Sequence, residues 1–204
     1  MKEVVKLMDY RPDIKIVDAT LRDGGLVNNF RFTDEFVKDL YQTNIKAGVD
    51  VMEFGYKADK EMFDVKDFGK WKFCDDEDIR AVVGDNNTDL KIAVMADVGR
   101  CNYKQDIKPR AESPVDVIRV ATYINQIPAA VDVIEDAVAK GYEVTCNIMA
   151  ISNAQEADIR VALDLLGKSP VNVIYIVDSF GALFPEQIAR IAALYGEYAA
   201  KYGK

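Results

Sequence analysis

One short template recurs three times along this chain, and it limits the architecture more than any other feature. Val49-Asp50-Val51-Met52-Glu53-Phe54, Val115-Asp116-Val117-Ile118-Arg119-Val120 and Val171-Asn172-Val173-Ile174-Tyr175-Ile176 all run valine, short polar residue, valine, then methionine or isoleucine. Short apolar, β-branched runs of this kind read as strands. Further strands are expected within the run that starts at Ile14, from Lys91 to Ala96 and from Tyr142 to Met149. Helical patterns fall between them. One starts at Thr33 or Asp34, puts Phe36, Val37, Leu40 and Tyr41 on one face and stops at Gly48. Others are expected from Asp75 to about Val83, from Ala129 to Lys140 after Pro128, from Ala154 to Leu166 with Gly167 as the stop, and from Pro185 to about Tyr202.

Strand and helix in strict alternation imply parallel strands joined by helical crossovers. No G-x-G-x-x-G follows the first strand, which argues against a dinucleotide-binding sheet. The expected class is therefore α/β, a (β/α)8 TIM-barrel type that is incomplete, with about six βα units. A closed barrel takes eight units and typically about 250 residues, and this chain has 204. Residues 1–204 are expected to form a single barrel domain, either the first three-quarters of a longer one or a degenerate relative. In such a barrel alternate strands fill the same interior layer. The three copies of the template then place Glu53, Arg119 and Tyr175 on equivalent faces. Turned inward, Glu53 and Arg119 make an internal ion pair beside Tyr175, which either fills the barrel or orients the residues at its mouth.

Composition removes several classes of function. A formal net charge of −8 opposes nucleic-acid binding, which needs clustered Lys and Arg. No apolar run is long enough to span a bilayer, and Met1 to Asp13 lack the basic-then-apolar pattern of a signal peptide. The expectation is a soluble cytoplasmic protein without nucleic-acid or membrane partners. Cys74, Cys101 and Cys146 form no C-x-x-C pair and read as small core or loop residues. Most informative, the chain has no histidine. That removes the commonest general base and the commonest transition-metal ligand, leaving carboxylates, Arg, Lys, Tyr or an oxygen-bound cation.

Candidate chemistry concentrates in Ile14 to Gly25, where a strand is expected to run into Arg22-Asp23 and then turn tightly at Gly24-Gly25. Arg22 offers a planar, permanently charged fork to a carboxylate or enolate, and Asp23 offers hard oxygens to a divalent cation. The alternative is an ordinary surface ion pair, worth about 0–1 kcal/mol. The long connection from Tyr56 to about Cys74 carries Phe63, Phe68, Trp71 and Phe73 among charges and reads as a folded lid.

Asp18-Ala19-Thr20-Leu21-Arg22-Asp23-Gly24 resembles the D-x-T-L-R-D-G signature of the metal-dependent carbon–carbon lyase and synthase barrels, the HMG-CoA lyase-like family. Arg119-Val120-Ala121-Thr122 and Tyr175-Ile176-Val177-Asp178-Ser179-Phe180-Gly181-Ala182 are more similar to its 4-hydroxy-2-oxovalerate aldolase branch than to the acyl-CoA-dependent branch, which stays the alternative. The resemblance implies a divalent cation, Mn or Mg, on Asp23, with Arg22 stabilising the enolate of a pyruvate-like fragment of a 2-oxo acid substrate. Thr122, Ser152 and Ser179 stand at or past strand ends as candidate substrate contacts, and Glu53 and Arg119 are candidates to orient Arg22 and Asp23 from behind. Two departures stand out: the family's H-x-H metal ligands are absent, and Gly25-Leu26-Val27-Asn28-Asn29 occupies the place of the aldolases' histidine base. Cation binding by one carboxylate is expected to be weak or absent, and Tyr56, Glu53 or a metal-bound water remain as candidate bases. The non-enzymatic alternative is a binding or assembly module whose open edges close on a partner or on a second copy.

Overall fold

The computed structural model describes residues 13–204; the leader reading of the first twelve residues lies outside them. Six strands, β1 (Val17–Asp18), β2 (Val51–Tyr56), β3 (Lys91–Asp97), β4 (Val117–Tyr123), β5 (Glu143–Met149) and β6 (Val173–Tyr175), form one sheet in sequence order. Every neighbouring pair is parallel. Helices α1 (Thr20–Asn28), α2 (Asp34–Ala47), α3 (Asp76–Val83), α4 (Tyr103–Asp106), α5 (Ile127–Ala139) and α6 (Glu156–Lys168) fill the crossovers, and α7 (Pro185–Tyr202) follows β6. The result is a curled half-barrel, α/β and TIM-barrel-like, with β1 and β6 as its two edges.

The alternation along each strand decides which side faces what. Met52 and Phe54, Ile92 and Val94, Ile118 and Val120, Val144, Cys146 and Ile148 are all fully buried on the helix side. They pack against Val37 and Tyr41 of α2, Ile79 of α3, Ala130 and Ile134 of α5, and Leu163 and Leu166 of α6 in one continuous core. Each such aliphatic side chain contributes about 1.5–3 kcal/mol on leaving water. The opposite, inner side is polar at its centre, with Glu53, Arg119, Thr145 and Asn147 all buried.

Helix ends follow the sequence signals. The Thr33 hydroxyl caps α2 by accepting from the Phe36 amide, and Gly48 closes it at φ 71°. Pro128 lies in the first turn of α5, and Pro185 opens α7. Two expectations fail. Gly167 does not end α6: it lies inside the helix, where an added Cβ would sit 2.2 Å from the Tyr202 ring. Gly24 and Gly25 make no turn either, because they are helical residues of α1. Gly25 is there for packing, since a Cβ would meet the Phe30 ring at 2.2 Å. The reversal comes later, at Asn29 and Phe30, which take left-handed φ values of 55° and 62°. The expected aromatic lid also divides. Trp71 is fully buried and packs on Phe54 at 5.6 Å between ring centres, while Phe63 and Phe68 pair edge to face at 5.8 Å.

Candidate active site at the mouth of the half-barrel

Asp18 ends β1 two residues before α1 begins at Thr20, its carboxylate accepting from the Thr20 hydroxyl at 2.7 Å and from the Thr20 amide at 3.3 Å. The helix therefore begins immediately at the carboxyl end of the strand, and Arg22 and Asp23 lie in its first turn. Arg22 Nε donates to Glu53 Oε2 at 2.8 Å, and its Nη1 donates to Asp23 Oδ1 at 2.8 Å. The Arg22 side chain is 18% exposed, Asp23 69% and Glu53 0%. A guanidinium is thus fixed from below by a buried carboxylate and bridged to an exposed one above.

Glu53 is shared. Arg119 Nη1 donates to the same Oε2, and the Arg119 guanidinium lies 4.8 Å from the Tyr175 ring centre. The three positions of the repeated template therefore meet inside the sheet. One carboxylate thus sits between two guanidinium groups; burial lowers the Arg22 pKa, but the attraction and hydrogen bond of Glu53, joined by Tyr56 and Asp23, together outweigh burial and raise it. Four buried polar atoms on this inner face, Glu53 Oε1, Arg119 Nε, Thr145 Oγ1 and Asn147 Oδ1, have no hydrogen-bond partner. A cavity of about 750 Å³ opens on the same side, lined among others by Val117, Arg119, Thr145 and Tyr175.

The hydroxyl residues are placed differently from one another. Thr122 shares the face of Ile118 and Val120, is fully buried under the helices, and donates to the Tyr123 carbonyl at 3.1 Å. It does not join the Arg22 cluster, because strand alternation turns it away. Ser179 is exposed and accepts from the Ala150 amide at 2.6 Å, tying the β6–α7 loop to the β5–α6 loop. The Ser152 hydroxyl is buried beside it without a partner.

Three rim groups received little weight in the sequence. Tyr56 ends β2 with its hydroxyl beside the Arg22 guanidinium, and burial pushes its phenol pKa up. Asp97 ends β3, and burial raises its carboxyl against the opposing pull of Arg100 and Lys72. Lys72 is buried, and desolvation lowers its ammonium. Strand-end position was the available signal for Tyr56 and Asp97; for Lys72 it was a lysine flanked by Trp71 and Phe73.

Among the described residues no group of three or more His, Cys, Asp or Glu is arranged to hold a metal ion. Asp23 is one exposed oxygen donor, not a ligand set. Nor is any described helix long and apolar enough to cross a membrane.

No family model matches the chain. Among curated proteins, it is 27% identical over 178 residues to the 4-hydroxy-2-oxovalerate aldolase of Pelotomaculum thermopropionicum, covering 87% of this chain and 51% of that protein. It is 28% identical over 182 residues to the aldolase of the same name from Bacillus cereus, covering 89% and 52%. The chain thus spans about half the length of the curated relatives it matches. Among solved structures, the N-terminal domain of a protein described as an aldolase from Bacteroides vulgatus superposes with a TM-score of 0.70 at 24% identity, covering 91% of this chain and 61% of that one. The HMG-CoA lyase of Brucella melitensis superposes with a TM-score of 0.65 at 14% identity, covering 91% and 68%.

Proposed function

We propose that the chain, similar over about half their length to 4-hydroxy-2-oxovalerate aldolases and folded like an HMG-CoA lyase, carries the enolate-holding part of an aldolase-type lyase acting on a 4-hydroxy-2-oxo acid. The supporting observation is the fixed guanidinium: Arg22, held by Glu53 at 2.8 Å, stands at the carboxyl end of β1 beside exposed Asp23. Breaking the C3–C4 bond of such a substrate leaves negative charge on the 2-oxygen. A preorganised donor at that oxygen typically lowers the barrier by about 2.7–4 kcal/mol. Glu53 and Arg119 keep the guanidinium from turning away, and Ser152 and Ser179 line the loops where the rest of the substrate would lie.

Asp23 would supply one ligand to a divalent cation, which when bound supplies Lewis-acid polarisation of the 2-oxo group. The described residues do not form a complete ligand set. In this reading residues 1–204 are one barrel domain, its partner is a small 2-oxo acid and its setting is the cytoplasm.

Calorimetric titration with Mn²⁺, combined with an assay of pyruvate release from 4-hydroxy-2-oxo acids, tests this reading. Pyruvate release that depends on Mn²⁺ supports it; a protein that neither binds Mn²⁺ nor releases pyruvate refutes it.

A further inference from the structure

We propose that Tyr56 is the proton-transfer residue of this mouth and that Lys72, held over the Tyr56 ring, positions and stabilises its phenolate. This rests on the lyase reading above. A histidine-free chain that cleaves a hydroxy acid must take a proton from the 4-hydroxyl and return one to carbon 3.

The observations converge on one ring. Tyr56 is set by Phe30, edge to face at 5.6 Å and 90°, with its hydroxyl beside Arg22. Lys72 Nζ lies 4.6 Å from the Tyr56 ring centre and is enclosed by Phe63 at 4.4 Å, Phe30 at 5.1 Å and Phe68 at 5.5 Å. Two buried lysines flank this loop, and their surroundings differ. Lys57 donates to Asp76 at 2.9 Å and to the Cys74 carbonyl at 2.8 Å, so its charge is matched and structural. Lys72 has no carboxylate within 4 Å among the described residues. Aromatic faces attract a cation, but they do not neutralise it. Its positive field therefore remains available to the phenol beneath it.

The charged groups facing the pair are Arg22 from α1, Glu53 from β2, and Asp97 and Arg100 from the end of β3. Burial, Glu53 and Asp97 favour the phenol and prevail over Arg22, which favours phenolate; Lys72, 4.6 Å from the ring centre, adds a second cation on the ring face. Tyr56 is thus a phenol with two cations ready to hold its conjugate base.

The proton balance closes within one residue. Loss of the Tyr56 proton to solvent primes the cycle; the phenolate then accepts the proton of the 4-hydroxyl, that O–H electron pair becomes the carbonyl π bond of the departing aldehyde as C3–C4 breaks, and the C3–C4 pair becomes the enolate. The Tyr56 O–H then gives its proton to carbon 3, the enolate pair forms the new C–H bond, and phenolate is restored beside Arg22 and Lys72. One proton moves from the 4-oxygen to carbon 3, with no oxidant or reductant.

Exchange of the pyruvate methyl hydrogens in deuterium oxide, followed by proton NMR with Mn²⁺ present, tests the second half-step without any aldehyde. The wild-type protein is expected to exchange, and Tyr56→Phe, which keeps the ring and its contacts, to lose at least about 100-fold. Lys72→Met should move the Tyr56-dependent limb of the pH profile upward, and Lys72→Arg should restore it; a uniform loss at all pH values would indicate a merely structural lysine. Wild-type rates in Tyr56→Phe, from a protein that still cleaves substrate, would overturn this proposal and leave the lyase reading standing. A wild-type protein that neither exchanges nor cleaves would remove both. Independently of activity, phenolate absorbance titrations of wild type minus Tyr56→Phe should shift upward in the Lys72→Met background, and an unchanged midpoint would overturn the pairing.

Discussion

Arg22 and Glu53, 31 residues apart in sequence, are joined by a 2.8 Å hydrogen bond that ties the first turn of α1 to the buried centre of β2. Because Arg119 shares that carboxylate, removing its charge leaves two guanidinium groups facing each other in the sheet. Glu53→Gln is expected to cost about 3–5 kcal/mol in urea unfolding. The double replacement Glu53→Met with Arg119→Met should recover most of that, since two desolvated charges disappear together. A single variant within about 1 kcal/mol of wild type would show that Glu53 does not hold the pair.

The two glycines after Asp23 should respond oppositely to alanine. At Gly24 the nearest atom to an added Cβ is the Phe32 ring at 3.7 Å, so Gly24→Ala should stabilise α1 by up to about 1 kcal/mol. At Gly25 the Phe30 ring lies 2.2 Å from that position, and Gly25→Ala should cost about 1–3 kcal/mol through overpacking. Thermal unfolding of the two variants distinguishes a packed helix from a turn, in which neither opposition would appear.

Asp97 gives a pH dependence with a definite sign. Burial raises its folded-state pKa, so the folded chain holds the proton more tightly than the unfolded chain. Its contribution to folding is present below the ordinary carboxylate range and is lost as pH rises through the raised value. Asp97→Asn should therefore stabilise at neutral pH, by no more than about 1 kcal/mol because the group keeps some solvent contact. In acid the gain should vanish. A gain that grew in acid would contradict the assignment.

The architecture was legible because long-range and local signals agreed. Valine-rich runs, proline at helix starts and Gly48 as a stop all describe local backbone preferences, and the structure realises them within a few residues. The repeated template even placed Glu53, Arg119 and Tyr175 together, because alternation and barrel layering are both periodic. What failed was what depends on tertiary contact. Gly25 and Gly167 read as punctuation, yet each is small because a ring from elsewhere in the chain occupies the space of its Cβ. Thr122 read as a rim residue, although counting alternation from Arg119 already turns it outward. The enclosure of Lys72 joins residues from the α1–α2 turn, β2 and the following loop, a convergence no local pattern encodes.

The most direct test of the central claim is the rate of C–C cleavage of a 4-hydroxy-2-oxo acid by Arg22→Lys, measured with Mn²⁺ against wild type. Lysine keeps the charge but cannot bridge Glu53 and the substrate oxygen with one planar fork. The account predicts a loss of about 100- to 1,000-fold in kcat in a variant that still folds. Cleavage at the wild-type rate would contradict it.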